Sequence, residues 1–148
     1  MQHTRHLVTV LLLLGSLALP SSSAALDVGN EIWMGAGFSW PDYGDGAMAC
    51  ARGGFDLVFE RYVGLGLSAQ ADRDRIHYFG HASVFFPRFD MLEPYGRFQY
   101  GRRDDGDDTA MGWAVGLRAG VDSIRAYLEF HQIFEPENNY GVTLGIAF

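Results

Sequence analysis

Two serines and two histidines carry the side-chain types that nucleophilic catalysis uses. Acyl transfer needs a nucleophile, a base that takes its proton and a group that orients the base, all within hydrogen-bond reach. His131 lies two residues after Glu129, and Ser68 or Ser83 would have to provide the nucleophile from another segment. An acyl-transfer enzyme is therefore one hypothesis for this chain.

The stretch GHAS gives that hypothesis little further support. His81 and Ser83 are two residues apart, so in a strand they share one face. The sequence shows no obvious acid beside them. We therefore expect His77, His81 and His131 to be interior or interface side chains, and we predict no catalytic residue and no cofactor.

The segment RRDDGDD is a second place where chemistry is conceivable. Four aspartates surround Gly106, and carboxylate oxygens are ligands for divalent cations. Their spacing does not match the D-x-[DN]-x-[DN]-G calcium loop. We expect a solvated, charged loop and no metal site.

Charged residues also occur inside segments whose alternate residues are bulky and apolar. In one such segment Leu117 and Ala119 flank Arg118, and in the next Leu128 and Phe130 flank Glu129. The residues that we expect to form an interior polar network are Arg52, Asp56, Arg97, Arg118, Arg125 and Glu129.

Those six charges should be paired, because a buried charge without a partner costs on the order of several kcal/mol. We expect Arg52 to pair with Asp56. We expect Glu129 to pair with Arg118 or with Arg97.

Eight stretches with a two-residue period must position these side chains. They are separated by segments rich in Asp, Gly, Pro and Asn, or in charges, which indicate turns and loops. The predicted strands are Glu31–Trp40, Met48–Val58, Tyr62–Ala71, Ile76–Phe86, Glu93–Gly101, Ala110–Val121, Ile124–Phe134 and Tyr140–Phe148.

The opposite faces of these strands predict a membrane barrel. One face is bulky and nearly free of charge, whereas the other mixes glycine with arginine and acids. Strands can cross lipid only as a closed barrel, because every backbone group must be paired internally. We therefore predict an all-β fold, an eight-stranded antiparallel up-and-down transmembrane β-barrel. Eight strands leave an interior that side chains fill, which makes a channel less favoured.

The connections differ between the two predicted ends. The first, third, fifth and seventh are acidic, and we expect them to be longer; the others carry only Glu60, Asp90 and Asp122 as acids. Long loops on one side and tight turns on the other are typical of outer-membrane barrels. Aromatic girdles are expected at both membrane interfaces, with Phe86 and Tyr95 in the one nearer the turns.

The beginning of the chain predicts export. Residues 1–24 contain Arg5, an apolar run from Leu7 to Leu19, then Pro20 and small residues. This is the layout of a cleaved signal peptide, and the run is short for a membrane-spanning helix. We assign residues 1–24 to a signal peptide and 25–148 to the barrel.

Composition narrows the class of partner. The formal net charge is −7, and all eleven basic residues are arginine, which argues against nucleic acid as a partner. Cys50 is the single cysteine, so the chain cannot form an internal disulfide. A secreted lipocalin-like barrel, with its apolar face inside, is the soluble alternative.

Several motifs resemble small outer-membrane β-barrels of the OmpA-barrel and OmpX type. They are LEPYGRFQYG, GWAVGLRAGVD, AYLEFHQIF and the final YGVTLGIAF. The resemblance implies location in the outer membrane of a Gram-negative bacterium, contact with its lipid and lipopolysaccharide, and recognition by the outer-membrane assembly machinery. The implied assembly signal is Tyr140, Val142, Leu144, Ile146 and Phe148.

The resemblance leaves the role of the barrel open, since one fold hosts many functions. Some lipid A deacylases of this architecture place a serine two residues after a histidine, where this chain has Ile133. We expect a non-catalytic barrel with a structural, envelope or surface-interaction role. A lipid A- or phospholipid-modifying enzyme is the alternative.

Overall fold

The computed structural model describes residues 27–42, 46–72, 75–104, 108–121, 123–135 and 138–148. The predicted signal peptide, residues 1–24, lies outside them. The strands are β1 (Val28–Pro41), β2 (Met48–Phe59), β3 (Val63–Ala71), β4 (Ile76–Phe85), β5 (Leu92–Arg103), β6 (Thr109–Val121), β7 (Ile124–Glu135) and β8 (Asn139–Ala147).

The eight strands form one closed barrel in which each strand pairs with its sequence neighbours and β1 pairs with β8. All eight pairings are antiparallel, and Gly35 opposite Gly145 lies within the register that closes the barrel. The predicted fold class is confirmed. No helix in the described part of the chain is long and apolar enough to cross a membrane.

The bulky apolar face points outward. Leu65, Leu117 and Leu144 are 50%, 46% and 65% exposed, whereas Arg118 is 3% exposed and Glu129 is fully buried. A water-soluble barrel would reverse this arrangement, because soluble proteins rarely bury charged side chains unless these are paired. The outward face is therefore suited to lipid acyl chains.

Three aromatic rings on β1 and β4 point inward with the charges. Trp33, Phe79 and Phe85 are each at most 3% exposed. Tyr95 is also interior, at 4% exposure, so its predicted place in an aromatic girdle is wrong. Tyr95 shares its parity along β5 with Arg97, and parity decides the face.

Inward-facing glycines make room for these rings. A Cβ at Gly54 would lie 2.6 Å from the Trp33 ring, and one at Gly116 would lie 2.6 Å from the Tyr95 ring. Real Cβ atoms do not approach neighbours that closely. Small residues on one strand and large ones on the next thus fill the narrow interior.

The barrel has two unlike ends. The loop end carries the connections 42–47, 72–75, 104–108 and 136–138, and the turn end carries 60–62, 86–91 and 122–123. The expected difference in length is small, because 86–91 is as long as 42–47. The difference in charge is the larger one. Asp45, Asp74, Asp105, Asp107 and Glu137, which belong to the acidic connections, lie outside the described residues.

At the turn end, β2 and β3 are joined by a tight hairpin. Glu60 and Arg61 have φ angles of 50° and 64°, and two successive positive φ angles are characteristic of the turn that matches the twist of a hairpin. The backbone amide of Tyr62 donates to the carbonyl of Phe59 at 3.0 Å. This turn therefore holds the side chain of Arg61 at the rim of the barrel.

Candidate functional site

The interior contains two groups of ion pairs, one above the other along the barrel axis. We call the group at mid-height the central network; it comprises Arg52, Asp56, Arg97, Glu129 and the uncharged or histidine side chains bonded to them. We call the group near the turn end the mouth network; it comprises Glu31, Glu93, Arg118 and Arg125.

Glu129 is the main acceptor of the central network. It accepts from Arg52, from Arg97 at 3.2 Å and from the Tyr95 hydroxyl at 2.7 Å. Arg52 also donates to the side-chain oxygen of Gln99 at 2.7 Å. Two arginines on different strands thus converge on one carboxylate that is fully buried.

Asp56 is the second acceptor of the central network. The indole N–H of Trp33 donates to it at 2.8 Å, and His81 Nε2 lies 2.9 Å from it. Ser83 donates to it at 3.3 Å, and Arg97 lies 3.5 Å away. Because both carboxylate oxygens have partners, the buried charge is compensated.

Arg97 joins the two carboxylates and also stacks on an aromatic ring. Its guanidinium carbon lies 4.0 Å from the centre of the Trp33 ring, within the range of a cation–π interaction. Its Nε donates to the Ser83 hydroxyl at 3.1 Å. The inward position of Trp33 is explained by these contacts.

The mouth network is built from two arginines and two glutamates. Arg118 donates to Glu31 and lies 2.8 Å from Glu93. Arg125 lies 3.0 Å from Glu93 and 3.5 Å from Glu31. The guanidinium of Arg118 lies 4.0 Å above the centre of the Phe85 ring. Sequence reasoning missed Glu31 and Glu93 as interior acids, because each is the first residue of its predicted strand.

The structure places all six predicted network residues inside the barrel, but their pairing partly differs from expectation. Arg52 bonds to Glu129 rather than to Asp56, because four residues along one strand span about 13 Å. Arg118 bonds to Glu31 and Glu93. Of the two arginines predicted to pair with Glu129, Arg97 is therefore the one that does so.

His131 and Glu129 are not hydrogen-bonded to each other. Glu129 is occupied by two arginines and a tyrosine, and neither ring nitrogen of His131 has a hydrogen-bond partner in the structure. His131 is fully buried on the loop-end side of Glu129. Ser68 contacts His81, and Ser83 contacts Asp56 and Arg97.

A serine, a histidine and an aspartate do form a hydrogen-bonded chain elsewhere. Ser68 Oγ lies 3.0 Å from His81 Nδ1, and His81 Nε2 lies 2.9 Å from Asp56. The sequence showed no acid near His81 because Asp56 is on β2. Gly66 of β3 is opposite both Asp56 and His81. Because glycine has no side chain, Asp56 and His81 can approach each other across it.

The loop-end half of the interior has a polar cluster around Asp72. Ser39, Gln70 and Asn139 donate to its carboxylate at 3.1, 3.3 and 2.9 Å. Cys50 is buried and is not in a disulfide. No group of three or more His, Cys, Asp or Glu side chains among the described residues is placed to hold a metal ion.

One cavity lies on the turn-end side of the mouth network, and a second lies between the two networks. The first, of about 600 Å³, opens at the turn end and has the mouth network as its floor. The second, of about 10 Å³, has Glu31, Arg97 and Arg118 in its wall. The second is close to the smallest space that holds a water molecule.

The residues of the predicted assembly signal lie on β8 and at its end. Tyr140, Val142, Leu144, Ile146 and Phe148 all face outward, at 37% to 65% exposure. The intervening Gly141, Thr143 and Ala147 are buried. The two-residue period in the sequence of this segment therefore corresponds to an outward and an inward face of β8.

Comparisons with solved structures identify the same fold. Neisserial surface protein A is 9% identical, with 82% of this chain and 97% of that chain covered and a TM-score of 0.63. The N-terminal β-barrel domain of Pseudomonas aeruginosa OprF is 16% identical, with 82% and 98% covered and a TM-score of 0.62. Ail, the attachment invasion locus protein of Yersinia pestis, is 14% identical, with 80% and 97% covered and a TM-score of 0.58.

No protein-family model matches the chain, and a search of curated proteins also found no match. The structural likeness spans almost the whole of each compared barrel at low sequence identity. The chain therefore has the fold of small eight-stranded outer-membrane barrels.

Proposed function

We propose that this chain is an exported barrel of the outer membrane of a Gram-negative bacterium, with a structural or surface-interaction role and no catalytic activity. The observation that carries the proposal is the combination of an apolar outer face with a charge-paired interior. An outer face of this kind is stable in lipid, and an interior of this kind blocks passage of solutes. The fold that it shares with outer-membrane barrels supports the location.

We place the loop end outside the cell and the turn end in the periplasm, as is usual for such barrels. The connections at the loop end have three to six residues, which provides little surface for binding a large host protein. This favours an envelope role over adhesion. Membrane lipid and lipopolysaccharide are the proposed partners of the outer face and its rim.

The outward-facing residues of the final strand are proposed to be read by the outer-membrane assembly machinery. Val142, Leu144 and Phe148 present an apolar row before β8 is embedded in lipid. Replacing Phe148 with Ser should lower the folded fraction in the outer membrane, whereas replacing Thr143, which faces inward, should not disturb this row. Equal folded fractions for Phe148→Ser and wild type would refute this role.

Gel mobility and bilayer conductance together test the main proposal. The purified protein should migrate differently in detergent gels before and after heating, as folded membrane barrels do. It should show no stepwise conductance in planar bilayers. Unchanged mobility would argue for a soluble barrel, and reproducible conductance would argue for a channel.

The Ser68–His81–Asp56 chain supports one alternative, a serine hydrolase that acts on lipid acyl esters. Its distances suit a nucleophile, a base and an orienting acid, although Ser68 is only 8% exposed. An activity-based fluorophosphonate probe tests whether the serine is reactive. Labelling that disappears in Ser68→Ala but persists in Ser83→Ala, together with altered lipid A or phospholipid acylation, would establish the enzyme. Absence of labelling favours the non-catalytic barrel.

A further inference from the structure

The large cavity at the turn end has the form of a binding site. We call it the vestibule. Its volume of about 600 Å³ lies in the range typical of ligand pockets. The mouth network forms its floor, and Asp27, Arg61 and Arg88 lie around its rim. Tyr62 and Phe86 add apolar surface at the opening.

The acids of the vestibule already have cationic partners. Glu31 and Glu93 are each contacted by two arginines of the mouth network. Asp27 is 3.8 Å from Arg61 at the exposed rim. A cationic ligand would therefore have to displace an arginine.

The charged groups of the vestibule that remain available to a ligand are arginines. Among the described residues, four arginines and three acids line it. Arg88 is exposed and forms no ion pair with another lining residue in the described part of the chain. Arg61 has one long contact, and its side chain is 88% exposed. A concave site lined with an excess of one charge attracts ligands of the opposite charge.

One wall of the vestibule is a strand edge with which no other described residue pairs. Gly29 and Asn30 of β1 line it. The amide and carbonyl of Ile32 bond to Phe148, so those of Asn30, two residues earlier, point to the same side. Among the described residues, β1 from 28 to 30 pairs with β2 alone. An extended peptide is the ligand that such an edge accommodates.

We propose that the vestibule binds an acidic, extended peptide segment on the periplasmic side of the barrel. Arg61 and Arg88 hold its carboxylates, and the backbone of Asn30 pairs with its main chain. The periplasmic placement rests on the proposed function, whereas the binding chemistry does not. Exposed ion pairs are individually weak, so binding should be weak and should decrease with salt.

Fluorescence anisotropy of a labelled Glu-rich hexapeptide, with the refolded protein in zwitterionic micelles, tests the site. We expect saturable binding that weakens at least tenfold in the double variant Arg61→Gln, Arg88→Gln. Glutamine is chosen because it strains the left-handed backbone at residue 61 no more than arginine does. Arg102→Gln, at the loop end, is the matched control and should bind within twofold of wild type.

Two further arms separate the possible explanations. Glutarate carries two carboxylates without a peptide backbone, and it should compete only at concentrations at least tenfold above those of the unlabelled peptide. Equal competition by glutarate would overturn the peptide part of the proposal. Absence of saturable binding, or equal affinity of the double variant, would overturn the site as a whole.

The folded state of each protein is checked by its heat-dependent gel mobility. A barrel with normal mobility that fails to bind the peptide refutes only the vestibule site. A chain without that mobility shift refutes the proposed function instead. The two failures therefore cannot be confused.

Discussion

The two halves of the interior satisfy their polar groups in different ways. In the turn-end half and at mid-height, the interior carboxylates Glu31, Asp56, Glu93 and Glu129 all have arginine or histidine partners. In the loop-end half, the carboxylate of Asp72 instead accepts hydrogen bonds from the neutral side chains of Ser39, Gln70 and Asn139. Buried polar atoms without a partner among the described residues occur in both parts: they belong to Gln70, His77, His131 and Asn139 toward the loop end, and to Arg52, Gln99, Arg118, Tyr127 and Thr143 elsewhere.

This difference indicates that ion pairs hold the central and mouth networks, whereas neutral hydrogen bonds hold the polar cluster of the loop-end half. Buried polar groups in native proteins are almost always hydrogen-bonded, to protein or to ordered water. A charged network whose carboxylates all have cationic partners fixes the relative positions of the strands that supply it. We therefore expect the turn-end half to contribute most of the interior's stability.

The largest effect should come from removing the acceptor shared by two arginines. Glu129→Ala leaves Arg52 and Arg97 short of a partner in a buried position, and such a change costs about 3–5 kcal/mol. Urea-induced unfolding in lipid vesicles, followed by tryptophan fluorescence, measures the loss. A loss below about 1 kcal/mol would contradict the claim that the central network stabilises the barrel.

A smaller loss is expected in the mouth network. Arg118→Ala removes a buried arginine that contacts two glutamates, but Arg125 still contacts both of them. The side chain of Arg125 is 25% exposed at the vestibule, so water can solvate the remaining charges there. We expect a loss of roughly 1–3 kcal/mol, near the value of one charged hydrogen bond, in the same unfolding assay. A loss equal to that of Glu129→Ala would mean that the vestibule is dry.

Packing in the turn-end half gives a matched pair of glycine variants. At Gly54 a Cβ would meet the Trp33 ring and the Leu67 carbonyl oxygen at 2.6 and 2.7 Å. At Gly96, on the outer face, the nearest atom lies 4.0 Å away. Gly54→Ala should therefore cost ~1–3 kcal/mol through overpacking, and Gly96→Ala should cost much less. Equal losses would indicate that the Trp33 ring moves freely.

The sequence predicted which residues are inside better than it predicted their partners. Side-chain parity along a strand is a local property, so Arg97 and Arg118 could be assigned to the interior. The contact of Arg52 with Glu129 joins β2 to β7 across the barrel, and no local pattern specifies it. Asp56 could have been linked to His81 by aligning three successive strands, since both are opposite Gly66.

Aromatic residues misled the sequence reasoning for a related reason. Tyr95 was expected at the membrane interface because aromatics are frequent there, yet its parity with Arg97 already indicated an inward position. Inside, its hydroxyl donates to Glu129, and its ring lies 5.6 Å from the Arg97 guanidinium. In a charged interior an aromatic ring is a partner for arginine, so residue type is a weaker guide than parity.

The smallest effect should come from His131, a histidine of the loop-end half. His131 has no protein hydrogen bond to lose, so His131→Leu should change the free energy of unfolding by less than ~1 kcal/mol, because any bound water is released to bulk. His81→Leu is the matched control in the turn-end half. It loses contacts with Asp56 and Ser68, leaves both buried, and should cost about 1–3 kcal/mol. The same unfolding assay compares them. If His131→Leu were the more damaging of the two, the water around His131 would contribute more than the protein contacts of His81, and the contrast between the two halves would be wrong.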